Sequence, residues 1–221
     1  MLDNTHGFLA GRPSNNVLPT GSRGSGKSSL VKALLTEFAE AGLRLVEVDK
    51  DDLIDLPTIA ATLSARPEFF ILFCDDLSFE ANNPGHKTLK ATLDGGLSAV
   101  PSNVLIYATS NRRHLIPKFF TENLETQRQN GEIPPGESSE EKILPSERFG
   151  LWLSFYTFSQ DDYLLIVAHW LNFLDCTDIP AARQAALNWA IERGPRSDRV
   201  AWQFACHWMG QMSEQKNAAQ R

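Results

Sequence analysis

Residues 21–28 read Gly-Ser-Arg-Gly-Ser-Gly-Lys-Ser, and they decide how the rest of the chain is interpreted. They match the pattern G-x-x-x-x-G-K-[ST] of a loop that wraps around phosphate groups. Its glycines turn backbone N–H groups toward a β-phosphate, Lys27 supplies a cation to the β- and γ-phosphates, and the Ser28 hydroxyl suits Mg²⁺. The pattern therefore predicts binding of ATP and Mg²⁺. The predicted nucleotide contacts are Gly21, Ser22, Arg23, Gly24, Ser25, Gly26, Lys27, Ser28 and Ser29.

The residues on either side of the loop favour the strand–loop–helix order that such a loop requires. Residues 16–18 form a short apolar run before it, and apolar residues recur at helical spacing from Leu30 to Phe38, until Gly42 ends the pattern. Pro19 departs from the expectation, because it removes a ladder N–H from what should be a central strand. A structural glycine turn is the alternative, and the flanking patterns favour the phosphate-binding loop.

Length and composition are those of one α/β domain with a small appendage. The chain has 221 residues, 42% of them hydrophobic, and a net charge of −6. No apolar run approaches the length of a membrane span and the polar start does not resemble a signal peptide, so we expect a cytoplasmic protein without membrane contacts. Three widely separated cysteines predict small core residues rather than a metal site, and we expect no transition metal.

Strand-like and helix-like patterns alternate along the chain after the loop. The predicted strands are residues 43–48, 69–74, 103–109 and 151–158, and helices are predicted from about Asp55 to Arg66 and from Lys87 to Leu97. The run 69–74 is apolar without alternation, which is typical of a strand buried on both faces. This order predicts a doubly wound parallel sheet that binds ligands at the carboxyl ends of its strands.

The domain organisation follows from shifts in composition. We predict an α/β nucleotide-binding domain over residues 1–158, a helical lid over 159–213 and a polar tail over 214–221. Within the first domain, residues 121–147 are polar, with seven acidic and two basic residues, and predict an inserted loop. This loop is a candidate partner contact, and a surplus solvated loop is the alternative.

Two carboxylates follow the buried strand 69–74. Asp75 is the candidate Mg²⁺ ligand, acting through the ion's waters, and Asp76 is the candidate residue that orients the attacking water. Two aspartates that merely end a strand are the alternative. Asp76 is one methylene shorter than the glutamate that is usual at this position, which predicts slow turnover. Glu80 is close enough in the sequence to be a candidate for the same role. Asn111, after the next strand, is a weak candidate for contact with the γ-phosphate or the water.

Two arginines are further catalytic candidates. Arg148 lies just before the last predicted strand, and Arg196 lies at the start of the last predicted helix. An isolated arginine is more often a solvated surface residue. Their order along the chain, after the loop and the paired aspartates, is what favours the functional interpretation.

These motifs together resemble those of an AAA+ ATPase. In that resemblance Gly21–Ser28 is Walker A, Ile71–Asp76 is Walker B, Asn111 is sensor 1, Ser146–Gly150 contains the arginine finger and Arg196 is sensor 2. The resemblance implies a P-loop NTPase three-layer sandwich whose parallel sheet has the order 5-1-4-3-2, with a small C-terminal helical lid. It also implies a segment upstream of the first strand that packs on the adenine, and few residues precede that strand here.

A narrower similarity extends over residues 27–34, 73–80, 108–115 and 148–152. These stretches are similar to a bacterial AAA+ family known only as a domain of unknown function, on the helicase-loader side of the AAA+ proteins. The similarity implies an ATP-binding protein and does not imply a particular substrate.

The phosphate-binding loop and the resemblance together lead to three functional hypotheses. The first is Mg²⁺-dependent ATP hydrolysis in a homo-oligomer, a ring or a filament, that remodels or loads a protein or nucleic-acid partner. In it Asp76 orients water, Asn111 senses the γ-phosphate, Arg148 completes a neighbour's site and Arg196 couples the nucleotide to the lid. The second is a nucleotide-gated binding switch with little or no turnover. A small-molecule kinase is a weaker third hypothesis, because no acceptor pocket can be identified.

Overall fold

The computed structural model describes residues 1–77, 84–94, 100–111, 148–176, 178–194 and 196–219, with side chains described as far as residue 212. Residues 121–147, predicted as an inserted loop, and Glu80 lie outside the described residues. The chain divides into two compact units. One comprises Met1–Gly21 and Lys27–Ser154, and the other comprises Ser22–Gly26 and Phe155–Arg221. We call them the sheet unit and the helical unit.

The sheet unit alternates strands with helices, as the sequence predicts. Its elements are α1 (Leu2–Leu9), β1 (Val17–Gly21), α2 (Lys27–Phe38), β2 (Leu43–Glu47), a 3₁₀ turn (Asp51–Asp55), α3 (Leu56–Ser64), β3 (Phe69–Cys74), α4 (Pro84–Leu93), β4 (Val104–Ala108) and β5 (Leu151–Phe155).

The five strands form one sheet in the order β2-β3-β4-β1-β5. The pairs β2–β3, β3–β4 and β4–β1 are parallel. The order predicted from the family resemblance, 5-1-4-3-2, is confirmed. Strand β4 therefore lies between β1 and β3, so the carboxyl ends of these three strands lie side by side, and they carry the phosphate-binding loop, Asn111 and the paired aspartates.

Helices cover both faces of this sheet, which gives the three-layer arrangement. One core cluster joins the sheet to α3, α4 and the 3₁₀ turn through Leu53, Leu56 and Leu89. The other joins the opposite face to α1 and α2 through Phe8 and Leu34. Strands β1 and β4 are buried at every position, as expected for central strands covered on both faces.

Pro19 does not end the pairing of β1 with its neighbour. Its carbonyl accepts a hydrogen bond of 3.0 Å from the Ser110 N–H, and the Gly21 N–H donates to the Ser110 carbonyl at 3.1 Å. The pairing therefore continues past the proline to the start of the phosphate-binding loop. Strand β5 is shorter than predicted, because it ends at Phe155 rather than at residue 158.

Helix α1 was not predicted from the sequence. Its Thr5 Oγ1 lies 2.9 Å from the Tyr107 hydroxyl, and Asn4 Nδ2 donates to that hydroxyl at 3.0 Å. Phe8 packs edge-on against Phe69, with 5.0 Å between the ring centroids. Since these contacts come from strands distant in sequence, local pattern alone gave little indication of the helix.

The helical unit contains α5 (Gln160–Phe173), α6 (Ile179–Arg193) and α7 (Asp198–Ala219). They share a core that includes Tyr163, Val167, Ala186 and Phe204. Helix α7 continues to Ala219 and so includes most of the segment predicted as a polar tail. Cys206 is exposed, which corrects the prediction that all three cysteines are core residues. Among the described helices, none is long and apolar enough to cross a membrane.

Candidate functional site

The phosphate-binding loop follows β1 and leads into α2. Gly24 and Gly26 have positive φ angles of 73° and 89°, a backbone region that residues with a Cβ rarely adopt. The Ser25 hydroxyl donates a hydrogen bond of 2.8 Å to the Ser22 carbonyl and so links two residues of the loop. Arg23 and Ser29, both predicted nucleotide contacts, are exposed. The loop therefore has the alternating backbone geometry from which anion-binding nests are made.

Lys27 begins helix α2 and is almost completely buried, with 5% of its surface exposed. Its Nζ donates hydrogen bonds of 3.0 Å to the Gly21 carbonyl and to Asn111 Oδ1. A buried ammonium has to be partnered by acceptors, and here those acceptors come from the ends of β1 and β4. The structure thus brings together the lysine and the asparagine that the sequence nominated separately.

Ser28 and Asp75 form the second contact of the site. The Ser28 hydroxyl donates to Asp75 Oδ1 at 2.7 Å, and the Asp76 N–H donates to the same oxygen at 3.0 Å. Thr109 Oγ1 also donates to Asp75 Oδ1 and accepts from the Asp76 N–H at 2.9 Å. Three donors on one oxygen fix the orientation of the Asp75 carboxylate beside the serine hydroxyl.

Each carboxylate oxygen of Asp76 contacts a neighbouring side chain. Its Oδ1 accepts a hydrogen bond from Asn111 Nδ2, and its Oδ2 lies 3.8 Å from Lys50 Nζ. Its φ of 52° lies in the left-handed region, where non-glycine residues are uncommon and are often found at functional sites. The chain of contacts therefore runs from Lys27 through Asn111 to Asp76 and on to Lys50.

The two candidate arginines occupy separate places. Arg148 precedes β5 in the sheet unit and forms an ion pair with Asp94, just after helix α4. Arg196 belongs to the helical unit, where it lines a groove of about 490 Å³ together with Phe158, Leu187 and Ile191. The structure therefore gives Arg148 an intramolecular partner and places Arg196 in a groove of mixed lining, which also includes Gln160 and Gln184.

Sequence reasoning missed two residues of the site. Thr109, which orients Asp75, is the last residue of the predicted strand 103–109 and was not predicted as a site residue. Lys50 lies in a run of acidic residues after β2, where a lysine looks like a solvated surface charge. The sheet order places the end of β2 beside the end of β3, but no local pattern marks Lys50 as a residue of the site.

The donors present suit Mg²⁺ and a phosphate chain. A serine hydroxyl and a carboxylate oxygen, 2.7 Å apart, are hard oxygen ligands of the kind that Mg²⁺ prefers, directly or through its waters. The Lys27 ammonium and the first turn of α2 offer positive charge to an anion. Within the sheet unit these groups adjoin Gly21, where the loop begins.

The chain belongs to a family described as protein of unknown function (DUF815), whose model matches residues 1–212. No protein with a curated description is detectably similar in sequence. The family match confirms the narrower resemblance noted in the sequence.

Solved structures that are similar to this chain have the AAA+ P-loop NTPase fold. A variant of RuvB from Thermotoga maritima superposes with a TM-score of 0.62 at 16% identity, over 97% of this chain and 61% of that one. Orc1 from Aeropyrum pernix, solved in complex with DNA, superposes with a TM-score of 0.55 at 14% identity, over 90% of this chain and 55% of that one. The chain thus spans about three fifths of the length of the RuvB structure, and the likeness establishes its fold.

Proposed function

We propose that this protein binds ATP with Mg²⁺ and hydrolyses it within a homo-oligomer, in order to remodel or load a macromolecular partner. The observation that carries the proposal is the network in which buried Lys27 contacts Asn111, Asn111 contacts Asp76, and Ser28 contacts Asp75. In P-loop NTPases a lysine, a serine and two acidic residues at these positions hold the phosphates, the metal and the attacking water.

Each side chain has a distinct role in the proposed reaction. Lys27 neutralises the β- and γ-phosphates, and Ser28 with Asp75 holds Mg²⁺. Asp76 accepts a hydrogen bond from the attacking water. Asn111 contacts both Asp76 and the γ-phosphate and so positions one relative to the other. Bound Mg²⁺ would contribute by neutralising charge that develops on the phosphate oxygens.

The oligomer and the lid are part of the proposal. Arg148 would leave Asp94 and reach the γ-phosphate of a neighbouring subunit, where such an arginine contributes about 10³ to 10⁵ in rate in related enzymes. The helices of residues 159–213 would act as a lid, with Arg196 reporting the state of the nucleotide. The partner would be a protein or a nucleic acid. The likeness to Orc1, which was solved in complex with DNA, supports a nucleic acid.

The first test is the steady-state rate of ATP hydrolysis, with Mg²⁺, over a wide range of protein concentration. Specific activity that rises with concentration, together with a larger mass by light scattering, is the expected result. Lys27→Ala serves as the inactive control. Tight ATP binding with no turnover at any concentration would contradict the hydrolytic part of the proposal.

A nucleotide-gated switch is the second candidate, and one observation favours it. Both carboxylate oxygens of Asp76 have a partner, Asn111 on one and Lys50 on the other, and the side chain is short for reaching a water. A switch would capture its partner only with ATP and would still do so as Asp76→Ala. Partner capture that is indifferent to nucleotide would count against it.

A further inference from the structure

The tip of the phosphate-binding loop is attached to the start of helix α7. Residues Ser22–Gly26 group with the helical unit, whereas the residues on either side of them group with the sheet unit. The Asp198 N–H donates a hydrogen bond of 3.1 Å to the Gly24 carbonyl. Ser197, which precedes Asp198, is buried, with 6% of its surface exposed.

Ser197 packs directly on the backbone of Gly24. A Cβ built on Gly24 would lie 2.7 Å from Ser197 Cβ, closer than real Cβ atoms come to their neighbours, and 3.0 Å from Ser197 Oγ, which is also tight. The Ser197 hydroxyl accepts a hydrogen bond of 3.2 Å from the Val200 N–H, in the manner of a helix N-cap. Because this bond fixes the serine on α7, the size of its side chain sets how far the loop can move toward the helix.

These contacts use the carbonyl side of the loop. The Gly24 carbonyl accepts from Asp198, and the Ser22 carbonyl accepts from Ser25. A loop that cups an anion has to turn its N–H groups toward the ligand and its carbonyls away from it. Partners that hold the carbonyls on the outer side therefore stabilise the conformation that binds phosphate.

We propose that Ser197 is a positioning residue for phosphate binding, holding the loop at Gly24 in its anion-binding conformation and so linking nucleotide affinity to the first turn of α7. The inference rests on the proposed nucleotide binding and does not depend on turnover. By thermodynamic linkage, a bound phosphate chain stabilises the start of α7 to the same extent as the start of α7 strengthens phosphate binding.

A double-mutant cycle at positions 24 and 197, read out as ADP affinity with Mg²⁺ by calorimetry, tests the contact. Gly24→Ala places a methyl against Ser197 at a positive φ, and we expect affinity to fall about tenfold or more. Adding Ser197→Gly removes the atoms that this methyl meets. We expect this second substitution to raise ADP affinity about threefold or more above that of Gly24→Ala alone. The strain of an alanine at a positive φ remains in the double variant.

Ser159 provides the matched control in the same unit. Its hydroxyl accepts from the Asp162 N–H at 3.1 Å and so caps helix α5, as Ser197 caps α7. Ser159→Gly in the Gly24→Ala background also removes a serine cap from a helix, and it should not restore ADP affinity. Ser197→Val puts a methyl where the hydroxyl faces Gly24 and should weaken ADP binding about tenfold. Ser197→Ala also loses the cap, but its ADP affinity should stay within about threefold of the wild-type value.

Hydrogen exchange gives a readout that a purely structural serine would not alter. In the wild type, ADP should slow exchange of the Val200 and Ala201 amides, and in Ser197→Val the effect of ADP should be smaller. Unchanged ADP affinity in Ser197→Val, or no coupling in the cycle, would overturn this inference and leave the proposed function intact. A wild-type protein that does not bind ADP or ATP would overturn both together.

Discussion

Asp75 Oδ1 accepts the hydrogen bond of the Ser28 hydroxyl at 2.7 Å, and this contact joins the first turn of helix α2 to the end of strand β3. The two residues lie 47 positions apart in the sequence. Thr109 contacts the same oxygen, so the carboxylate cannot turn away from the serine without losing several hydrogen bonds at once. A metal held here would therefore meet its oxygen ligands already oriented.

Asp75→Asn should make nucleotide affinity nearly independent of Mg²⁺. The amide keeps the shape of the carboxylate but loses its charge, and the loss of groups that orient or hold a metal typically lowers metal affinity about 10- to 100-fold. ADP titrations with and without Mg²⁺ measure the effect. Asp52→Asn, an exposed carboxylate in the 3₁₀ turn, is the control and should keep the full effect of Mg²⁺. Equal Mg²⁺ dependence in Asp75→Asn would exclude this residue from the metal site.

Asp76→Asn should separate binding from hydrolysis. A carboxylate that positions or accepts a proton from water contributes about 10²- to 10⁴-fold in rate, and the amide is too weak a base to replace it. We expect turnover to fall by that factor and ADP affinity to stay within about twofold, because the described partners of the Asp76 side chain are Asn111 and Lys50 rather than Ser28 or Asp75. Lys32→Ala, which breaks an exposed ion pair with Glu47, is the control for a general effect of charge. If ADP affinity and turnover fell together, Asp76 would belong to nucleotide binding.

Arg148→Ala should abolish hydrolysis only when every subunit carries it. The proposed role in a neighbour's site predicts a loss of about 10³ to 10⁵ in rate for the pure variant. Mixing Arg148→Ala with Lys27→Ala should restore part of the activity, because one variant supplies an intact loop and the other an intact arginine. The exposed Arg183→Ala is the matched control and should be fully active alone. No recovery on mixing, in oligomers shown to contain both variants, would rule out a role in trans.

The elements and site residues that a local sequence pattern determines were predicted most accurately. The continuous apolar run of β3 gave its bounds, and the polar residues directly after it gave Asp75 and Asp76. Lys50 could not be found in this way, since its proximity to Asp76 depends on the sheet placing β2 beside β3. Ser197 was likewise missed, because its contact with Gly24 is made across a long separation in the chain.

The cysteines should differ sharply in reactivity. Burial raises the pKa of the Cys74 thiol to about 12, so at pH 8 almost none of it is the reactive thiolate, and it is also inaccessible. Cys206 is exposed. We expect a maleimide to modify Cys206 in the folded protein and Cys74 only after unfolding, with peptide mass spectrometry as the readout and Cys206→Ser as the control. Rapid modification of Cys74 at pH 8 would show that strand β3 opens far more readily than its burial indicates.

Tyr107→Phe should loosen helix α1 and leave the nucleotide site in place. The Tyr107 hydroxyl is buried at the contact with Asn4 and Thr5, and its removal deprives Thr5 Oγ1 of that contact. Losing such a buried hydrogen bond lowers the free energy of unfolding by about 1–2 kcal/mol, which urea unfolding measures. Thr62→Val is the control, because the Thr62 hydroxyl bonds the Thr58 carbonyl on the exposed face of α3.

The pH dependence of the same variant provides an independent check. Burial raises the pKa of Tyr107 above its ordinary value, so the neutral phenol favours the folded state. This contribution is fully present below the unfolded pKa, about 10, and is lost as the pH rises through the higher folded pKa. The stability of the wild type should therefore decline more steeply above pH 10 than that of Tyr107→Phe. Parallel curves would mean that the phenol is hydrated, and α1 would then be held mainly by Phe8 against Phe69.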